Sequence, residues 1–218
     1  MKFSICVPTL ARYDLLHKLL LSVMFSTRKP DHILIVDNGK KFEDTFIKTL
    51  DIPYVVFVPS FNLGVAASWN VLAQYSRSLD ATPIICNDDI MFKENTLEVL
   101  TDAYTDRLIL GLSGIQIFSC YMMPLNIYNE VGQFDETISP RYAYFEDNDY
   151  HWRMRLLGYD IDQVKGAEGI HIGSATVNSM PSNFIQEHHV KFDLARANYI
   201  RKWGGQPGEE KYRTPYNA

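Results

Sequence analysis

The chain has 218 residues, of which 46% are hydrophobic and 22% charged, an ordinary composition for a globular protein with a sizeable core. This length fits one domain, with or without a short C-terminal extension. The formal net charge of −5 does not favour nucleic acid or an anionic membrane surface as the main partner.

The first half of the chain alternates short apolar runs with helical patterns. Four apolar runs predict buried strands: Phe3–Val7, Ile33–Val36, Tyr54–Val58 and Pro83–Cys86. The segments between them predict helices over Leu15–Met24, Phe42–Leu50 and about Val65–Ser76. Strands that are apolar throughout and separated by helices predict an α/β fold with a mainly parallel central sheet and helices on both faces.

The second half is less regular. Its predicted elements are an apolar β-rich stretch over Leu108–Met122, a short helix over Leu125–Val131, a helix over Asn148–Leu157, a strand over Tyr159–Val164 and an amphipathic helix over Asn183–Trp203. Gly132–Tyr144 and Lys165–Val177 are predicted to be loops, and Gly204–Ala218 shows no periodicity.

Three cysteines, Cys6, Cys86 and Cys120, each lie in or beside an apolar run. Their odd number and scattered positions indicate buried reduced thiols, and hence a cytosol-like compartment, rather than a disulfide framework. No stretch approaches the roughly 18 consecutive apolar residues that a membrane span requires. We therefore expect a soluble cytoplasmic protein without a transmembrane segment, and leave peripheral association with a membrane open.

Polar residues that follow the predicted strands are the candidate site, because ligands bind at the carboxyl ends of the strands in parallel α/β sheets. They are Pro8–Arg12, Asp37–Asn38, Asn62–Gly64 and Asn87–Asp89. A plain turn at Asp37–Gly39 and a helix-capping loop at Asn62–Gly64 are the structural alternatives.

Asn87, Asp88 and Asp89 directly follow the fourth predicted strand. Two adjacent carboxylates at a strand end face opposite ways, so one can reach a ribose while the other reaches a metal ion. Carboxylates are the hard ligands that Mg²⁺ or Mn²⁺ prefers when it bridges phosphates. The alternative is a turn that caps the next helix, and the triplet alone does not decide between the two.

A second acidic cluster comprises Glu146, Asp147 and Asp149, with aromatic residues on both sides. A partly apolar setting raises the pKa of a carboxylate towards a range useful for a general base. Carboxylates at a helix start also suit the helix dipole, which is the structural alternative. His171 lies among small residues that would let its imidazole approach a phosphate–metal centre, although a lone histidine is more often structural.

The order of these elements resembles that of family 2 glycosyltransferases and their rhamnosyltransferase-like relatives over most of the chain. Seven elements carry the resemblance, in chain order: Val7-Pro8-Thr9 with Arg12 ("VPTYNR"), Ile35–Gly39 ("VVDNGS"), Asn62–Ala66 with Asn70 ("NLGFAGGNN"), Asn87–Asp89 ("DxD" or "NND"), Val131–Glu136 ("VGGFDE"), Phe145–Tyr150 with Arg153 and Arg155 ("WEDVDLCLRLR"), and His171 in place of a late metal-binding histidine. Two departures are Leu10-Ala11, which replaces the Tyr-Asn pair of the first motif, and Asn87, which replaces the first acid of "DxD".

The resemblance implies a GT-A fold and a metal-dependent glycosyltransferase. The donor would be held by residues at the matched strand ends: Pro8, Thr9, Arg12, Asp37, Asn62, Gly64, Asn70 and Asp88. Within this set, Asp37 would contact the base and Asp88 the ribose. Asp89 and His171 would hold Mn²⁺ or Mg²⁺ together with the diphosphate oxygens. Asp147 would be the general base, with Glu146 nearby on the acceptor side.

The implied reaction is an in-line displacement with inversion, in which a hydroxyl of a glycan or similar acceptor attacks a nucleotide-sugar donor. A UDP- or dTDP-sugar is favoured, because Asp37 stands where the family reads the base. We expect a single domain over residues 1–203, with nucleotide binding in about 1–90 and acceptor binding and catalysis in about 91–203, followed by a tail over 204–218. Either Gly132–Tyr144 or the tail would serve as a lid that limits donor hydrolysis.

Two other functions are weighed against this one. A non-catalytic nucleotide- or glycan-binding domain on the same fold would have lost its base or its metal ligands, whereas Asp89, Asp147 and His171 are all present. A sugar-nucleotide pyrophosphorylase needs a glycine-rich basic loop after the first strand, whereas Val7–Asp14 contains no glycine and one arginine. The glycosyltransferase is therefore favoured.

Overall fold

The structure is a computed structural model that describes residues 1–172 and 182–218, except for the side chains of residues 182–186. The last part of the loop predicted over Lys165–Val177 therefore lies outside the described residues. The described strands are β1 (Phe3–Thr9), β2 (His32–Asp37), β3 (Tyr54–Phe57), β4 (Thr82–Cys86), β5 (Ile90–Phe92), β6 (Leu108–Ser113), β7 (Cys120–Met122) and β8 (Asp160–His171). The described α-helices are α1 (Tyr13–Phe25), α2 (Val65–Ser78), α3 (Thr96–Asp102), α4 (Leu125–Val131), α5 (Glu146–Leu156) and α6 (Ser182–Trp203).

The described strands form one sheet with the order β3-β2-β1-β4-β7-β6-β8-β5. β1 pairs in parallel with β2 and β4, and β2 pairs in parallel with β3, which confirms the arrangement predicted from their apolar runs. β7 runs antiparallel to β4 and β6, and β5 runs antiparallel to β8. The carboxyl ends of β1, β2 and β4 consequently lie along one edge of the sheet.

Alternate residues of the parallel strands fill two hydrophobic layers, one on each face of the sheet. Ile5 and Val7 of β1 pack in the layer that contains α1, whereas Cys6 packs in the layer that contains α2. Helices thus cover both faces, as the sequence predicts. The three cysteines are buried and free. In the part of the chain that the structure describes, no helix combines the length and the apolar character needed to cross a membrane.

The helix predicted over Phe42–Leu50 is wrong, because only a 3₁₀ turn over Ile47–Leu50 forms there. The reason is a tertiary contact. The backbone N–H groups of Lys40 and Phe42 donate to the buried carboxylate of Asp37, which holds this stretch as a loop.

Strand β8 extends to His171, beyond the end predicted at Val164. Its first part pairs with β6 and its last part pairs with β5, where His171 lies opposite Ile90. The local pattern predicts neither β5 nor α3. The extension is supplied by a partner strand that is distant in sequence, which local periodicity does not reveal.

Helix α6 and the segment after it form a third hydrophobic cluster with the start of α5, in which Phe145, Tyr199 and Trp203 are buried. The backbone N–H of Tyr212 donates to the Trp203 carbonyl oxygen, and the Trp152 indole donates to the Tyr212 carbonyl oxygen. The segment predicted as a tail is therefore held against α5 and α6.

Candidate active site

The ends of β1 and β4 are joined by a side-chain hydrogen bond, which the Thr9 hydroxyl donates to Asp88 Oδ2 at 2.7 Å. Burial raises the pKa of Asp88 to about 7, while the Thr9 hydrogen bond lowers it and the charge of Asp89 raises it further. A ligand hydroxyl or a cation that approaches Asp88 would therefore stabilise its ionised form.

A cavity of about 520 Å³, the first cavity, opens at these strand ends. Five of the predicted donor-binding residues line it: Pro8, Thr9, Asn62, Gly64 and Asp88. Gly64 has a φ of 80°, and a Cβ at this position would lie 2.5 Å from backbone atoms of Arg141 and Tyr142. Glycine is required here because the segment 140–144 approaches the start of α2 so closely.

Asp37 ends β2 and organises the loop that follows it. Its carboxylate, 1% exposed, accepts hydrogen bonds from the Tyr13 hydroxyl and from the backbone N–H groups of Gly39 and Lys40. The next residue, Asn38, lines the first cavity. The structure therefore places Asn38 at the cavity wall and the Asp37 carboxylate behind it.

Arg12 and Asn70, the remaining predicted donor-binding residues, have protein partners. Arg12 forms an ion pair with Asp14 at 2.8 Å. The Asn70 side chain donates to the Phe134 carbonyl oxygen and accepts from the Phe134 N–H. Asn70 thus fastens α2 to the segment that follows α4.

A second cavity of about 510 Å³ adjoins the first, and Asp89, Glu146, Asp147 and His171 all line it. The Nε2 atom of His171 lies 3.2 Å from Oδ1 of Asp89. This contact follows from the pairing of β8 with β5, because His171 lies opposite the residue next to Asp89. The predicted metal ligands and the predicted catalytic acids therefore share one cavity.

Asp89 and His171 fit a site for a divalent cation that a ligand completes. A carboxylate oxygen and an imidazole nitrogen lie side by side at the cavity wall. Within the described ranges, no group of three acidic, histidine or cysteine side chains is placed to hold an ion. Two protein ligands suffice when phosphate oxygens and water supply the remainder, which is the usual arrangement for Mg²⁺.

Helix α5 begins at Glu146, two residues before the start predicted at Asn148. The two residues before the helix, Tyr144 and Phe145, have φ values of 90° and 66°. Positive φ at a non-glycine residue costs on the order of 1–3 kcal/mol and is concentrated at functional sites. This turn sets Glu146 and Asp147 in the first helical turn, where the helix dipole favours carboxylates.

Glu146 and Asp147 have different surroundings. Glu146 is 4% exposed, and its Oε2 atom has no hydrogen-bond partner among the described residues. Burial raises the pKa of Glu146, and the charge of Asp147 raises it further. Asp147 is partly exposed, and burial raises its pKa as well. Of the two carboxyl groups, that of Asp147 is the more accessible from the cavity.

The segment 140–144 and helix α6 contribute residues to the walls of both cavities. The Tyr142 carbonyl oxygen accepts a hydrogen bond of 2.7 Å from the Val65 N–H at the start of α2. The Tyr144 hydroxyl lies 3.0 Å from Nε2 of His188 in α6. Of the two segments predicted as lids, part of Gly132–Tyr144 lines the cavities, whereas the C-terminal tail packs against helices.

Sequence reasoning missed several residues that line the cavities. Lys191 lines the first cavity, and Trp69, Phe118 and Phe192 line the second. Trp69 could have been found from the sequence, because it directly precedes Asn70 of the third motif. No local pattern distinguishes Lys191 from a solvated lysine on a helix, because only the packing of α6 brings it to the site.

A family model described as "Glycosyl transferase family 2" matches residues 4–119, which is more than half of the chain. The match extends from β1 to the segment before β7. It therefore contains the strand ends of the first cavity and the triplet Asn87–Asp89. No curated protein matches the chain in sequence.

Several solved structures are similar in fold. A mannosyltransferase from Pyrobaculum calidifontis, PcManGT in complex with GDP-Man and Mn²⁺, has a TM-score of 0.65 at 12% identity, covering 95% of this chain and 66% of that chain. TarS 1–349 of S. aureus in complex with UDP-GlcNAc has a TM-score of 0.61 at 14% identity, covering 96% and 74%. This chain thus spans just under two thirds of the mannosyltransferase chain, and at these identities the likeness supports the predicted GT-A fold.

Proposed function

The chain belongs to glycosyl transferase family 2, and we propose that it transfers a sugar from a nucleotide diphosphate donor to a hydroxyl group of a glycan or similar acceptor, with inversion. The observation that carries the proposal is a pair of adjoining cavities with different charge. Arg141 and Lys191 line the first cavity together with the acids Asp88 and Glu187, whereas the acids Asp89, Glu146 and Asp147 line the second together with His171. The two cations can pair with the phosphates of a nucleotide in the first cavity, and a neutral hydroxyl acceptor suits the acidic second cavity.

The donor spans both cavities in this proposal. Its nucleoside lies in the first cavity near Asn38, with the ribose beside the hydrogen-bonded pair of Thr9 and Asp88. Its sugar lies in the second cavity. The bond that breaks is therefore near Asn87 and Tyr144, which line both cavities.

Asp147 accepts the proton of the acceptor hydroxyl as that oxygen attacks the anomeric carbon. A carboxylate with a raised pKa is a stronger base at neutral pH, and a positioned base is typically worth about 10²–10⁴-fold in rate. Attack occurs on the face opposite the departing diphosphate, which inverts the configuration. Glu146, more deeply buried, positions the acceptor.

Asp89 and His171 are the residues that would hold a divalent ion, and Mn²⁺ or Mg²⁺ there supplies positive charge that offsets the charge of the diphosphate. A structure of similar fold, the mannosyltransferase from Pyrobaculum calidifontis, is described in complex with GDP-Man and Mn²⁺. We propose the same dependence on a divalent ion for this chain.

A uracil or thymine nucleotide is the proposed donor base. The proposal rests on the family resemblance at Asp37, whose carboxylate holds the loop beside Asn38, a residue of the cavity wall. Related TarS structures are described in complex with UDP and with UDP-GlcNAc. The mannosyltransferase complex with GDP-Man shows that the fold also accommodates guanine.

The test is calorimetry of UDP, dTDP and GDP with and without Mn²⁺. We expect Mn²⁺ to enhance the binding of UDP or dTDP, and Asp89→Ala to lose most of that enhancement while remaining folded. Asp162→Ala, at an exposed position on β8, is the matched control. Unchanged Mn²⁺-dependent affinity in Asp89→Ala contradicts the metal site, and tight binding of GDP alone contradicts the donor assignment.

A further inference from the structure

Two pairs of consecutive residues mark the boundary between the cavities. At the end of β4, Asp88 lines the first cavity and Asp89 lines the second. On the covering helix α6, Lys191 lines the first cavity and Phe192 lines the second. The bond that breaks in a donor spanning both cavities therefore lies between the end of β4 and this turn of α6.

Lys191 is a half-buried cation at this boundary. In the part of the chain that the structure describes, its ammonium group makes no hydrogen bond or ion pair, although Glu187 lies one helical turn earlier. The other cation of the first cavity, Arg141, lies over the Phe61 ring at 4.5 Å. An ammonium group without a protein partner in a cavity wall is a charge that an anionic ligand can pair.

Helix α6, which carries Lys191, is anchored at its C-terminal end. Lys202, in the last turn of α6, is buried and forms ion pairs of 2.6 Å with both Asp135 and Asp149. The Tyr144–His188 contact holds α6 to the segment 140–144, one turn before Lys191. The helix that carries Lys191 is thus anchored on both sides of this residue before any ligand enters, which favours electrostatic stabilisation by a charge placed there.

We infer that Lys191 binds the diphosphate of the donor and stabilises the negative charge that develops on it as the bond to the sugar breaks. This role rests on the proposed function and adds to it a cation supplied by the protein itself. Lysine binds phosphate as a point charge, so one direct contact between the Lys191 ammonium group and a diphosphate oxygen is enough for this role.

The experiment compares four forms of the whole chain: wild type, Lys191→Met, Lys191→Arg and Lys165→Met. Lys165 is an exposed lysine on β8 and serves as the matched control. Calorimetry with saturating Mn²⁺ measures the affinity for UDP and for uridine, with GDP and guanosine as a second pair. Thermal melting establishes that each variant is folded, and Lys191→Gln replaces Lys191→Met if the latter is not.

Lys191→Met is expected to weaken binding of the nucleoside diphosphate about tenfold or more, because a charge-assisted hydrogen bond is lost. Its affinity for the nucleoside alone should stay within about twofold, since that part of the ligand does not contact Lys191. Lys191→Arg keeps a phosphate-binding charge and should retain most of the affinity. The control should bind all four probes as the wild type does.

Three other results overturn the inference, and they are distinguishable. In the first, the wild type binds UDP or GDP more tightly than the nucleoside, and Lys191→Met binds the diphosphate with wild-type affinity. This result excludes the role of Lys191 in diphosphate binding and leaves the proposed function intact. Equal losses for diphosphate and nucleoside assign Lys191 a structural role instead. A wild-type chain that binds neither diphosphate better than its nucleoside overturns the proposed function and the inference together.

Discussion

The first turn of α5 contains two buried carboxyl groups with opposite surroundings. Asp149, 0% exposed, accepts hydrogen bonds from Arg153 Nε at 2.9 Å and from the Trp203 indole at 2.8 Å, and it pairs with Lys202 at 2.6 Å. Glu146, 4% exposed, has an oxygen without a partner among the described residues and faces a cavity.

The comparison shows that burial alone does not separate a structural acid from a functional one. A carboxylate whose oxygens are paired by cations and an N–H group holds elements of the fold together, as Asp149 holds α6 to α5. A buried acid that keeps an unpaired oxygen costs stability and is retained at ligand sites. The hydrogen-bond and ion-pair partners of a buried carboxylate therefore indicate whether its role is structural or functional.

Asp149→Ala is expected to have the largest effect and to lower the free energy of unfolding by about 3–5 kcal/mol, because it leaves the charge of buried Lys202 with one fewer partner. Urea denaturation measures this. Asp160→Ala, which removes an exposed pair with His151, should stay within about 0.5 kcal/mol of wild type. A loss of stability as small as that of the control would remove the distinction between the two acids.

Asp147→Asn is expected to lower the transfer rate at saturating donor by about 10²-fold or more, because only proton transfer is lost. Donor affinity, measured by calorimetry, and the free energy of unfolding should stay close to wild type. Asp162→Asn on the exposed face of β8 is the isosteric control. Near-normal transfer by this variant, together with collapse in Glu146→Gln, would exchange the roles of the two acids.

Glu146→Gln is expected to give the smallest effect, a gain in the free energy of unfolding on the order of 1 kcal/mol at pH 8. The folded-state pKa of Glu146 is raised, so the stability that the group contributes is complete below its ordinary pKa of about 4.5 and is lost as the pH rises through the folded pKa. Glutamine mimics the protonated form and keeps that contribution. The melting temperatures of variant and wild type should therefore diverge as the pH rises above about 4.5 and coincide below it. Parallel curves across this range would show that Glu146 is not strained by burial.

The sequence predicted four polar residues that line the second cavity, but it did not reveal why they meet. Asp89, Glu146, Asp147 and His171 were all identifiable from motif order. Their meeting depends on the β5–β8 pairing and on the turn at Tyr144 and Phe145. A strand of three residues and a strained turn carry too little local signal to be recognised.

The donor-binding residues show the same limit in another form. Thr9 and Asp88 follow strands with clear apolar runs, and their hydrogen bond follows from the parallel pairing of those strands. Asp37 and Asn70 lie in equally clear motifs, yet the fold uses their polar atoms to hold a loop and a helix. A sequence motif shows which residue is present at a position, whereas the hydrogen-bond partners of that residue depend on the segments that pack beside it.

Local sequence patterns were enough to predict the parallel strands, the helices on both faces of the sheet and the edge at which polar residues collect, because apolar runs and helical spacing involve only a few neighbouring residues. Three features follow from tertiary packing instead: α5 starts at Glu146, β8 reaches His171 and α6 brings Lys191 to the boundary between the cavities. Each of these depends on contacts between segments that are distant in the chain. Such contacts form because they complete hydrogen bonds and bury apolar surface that no local segment completes alone.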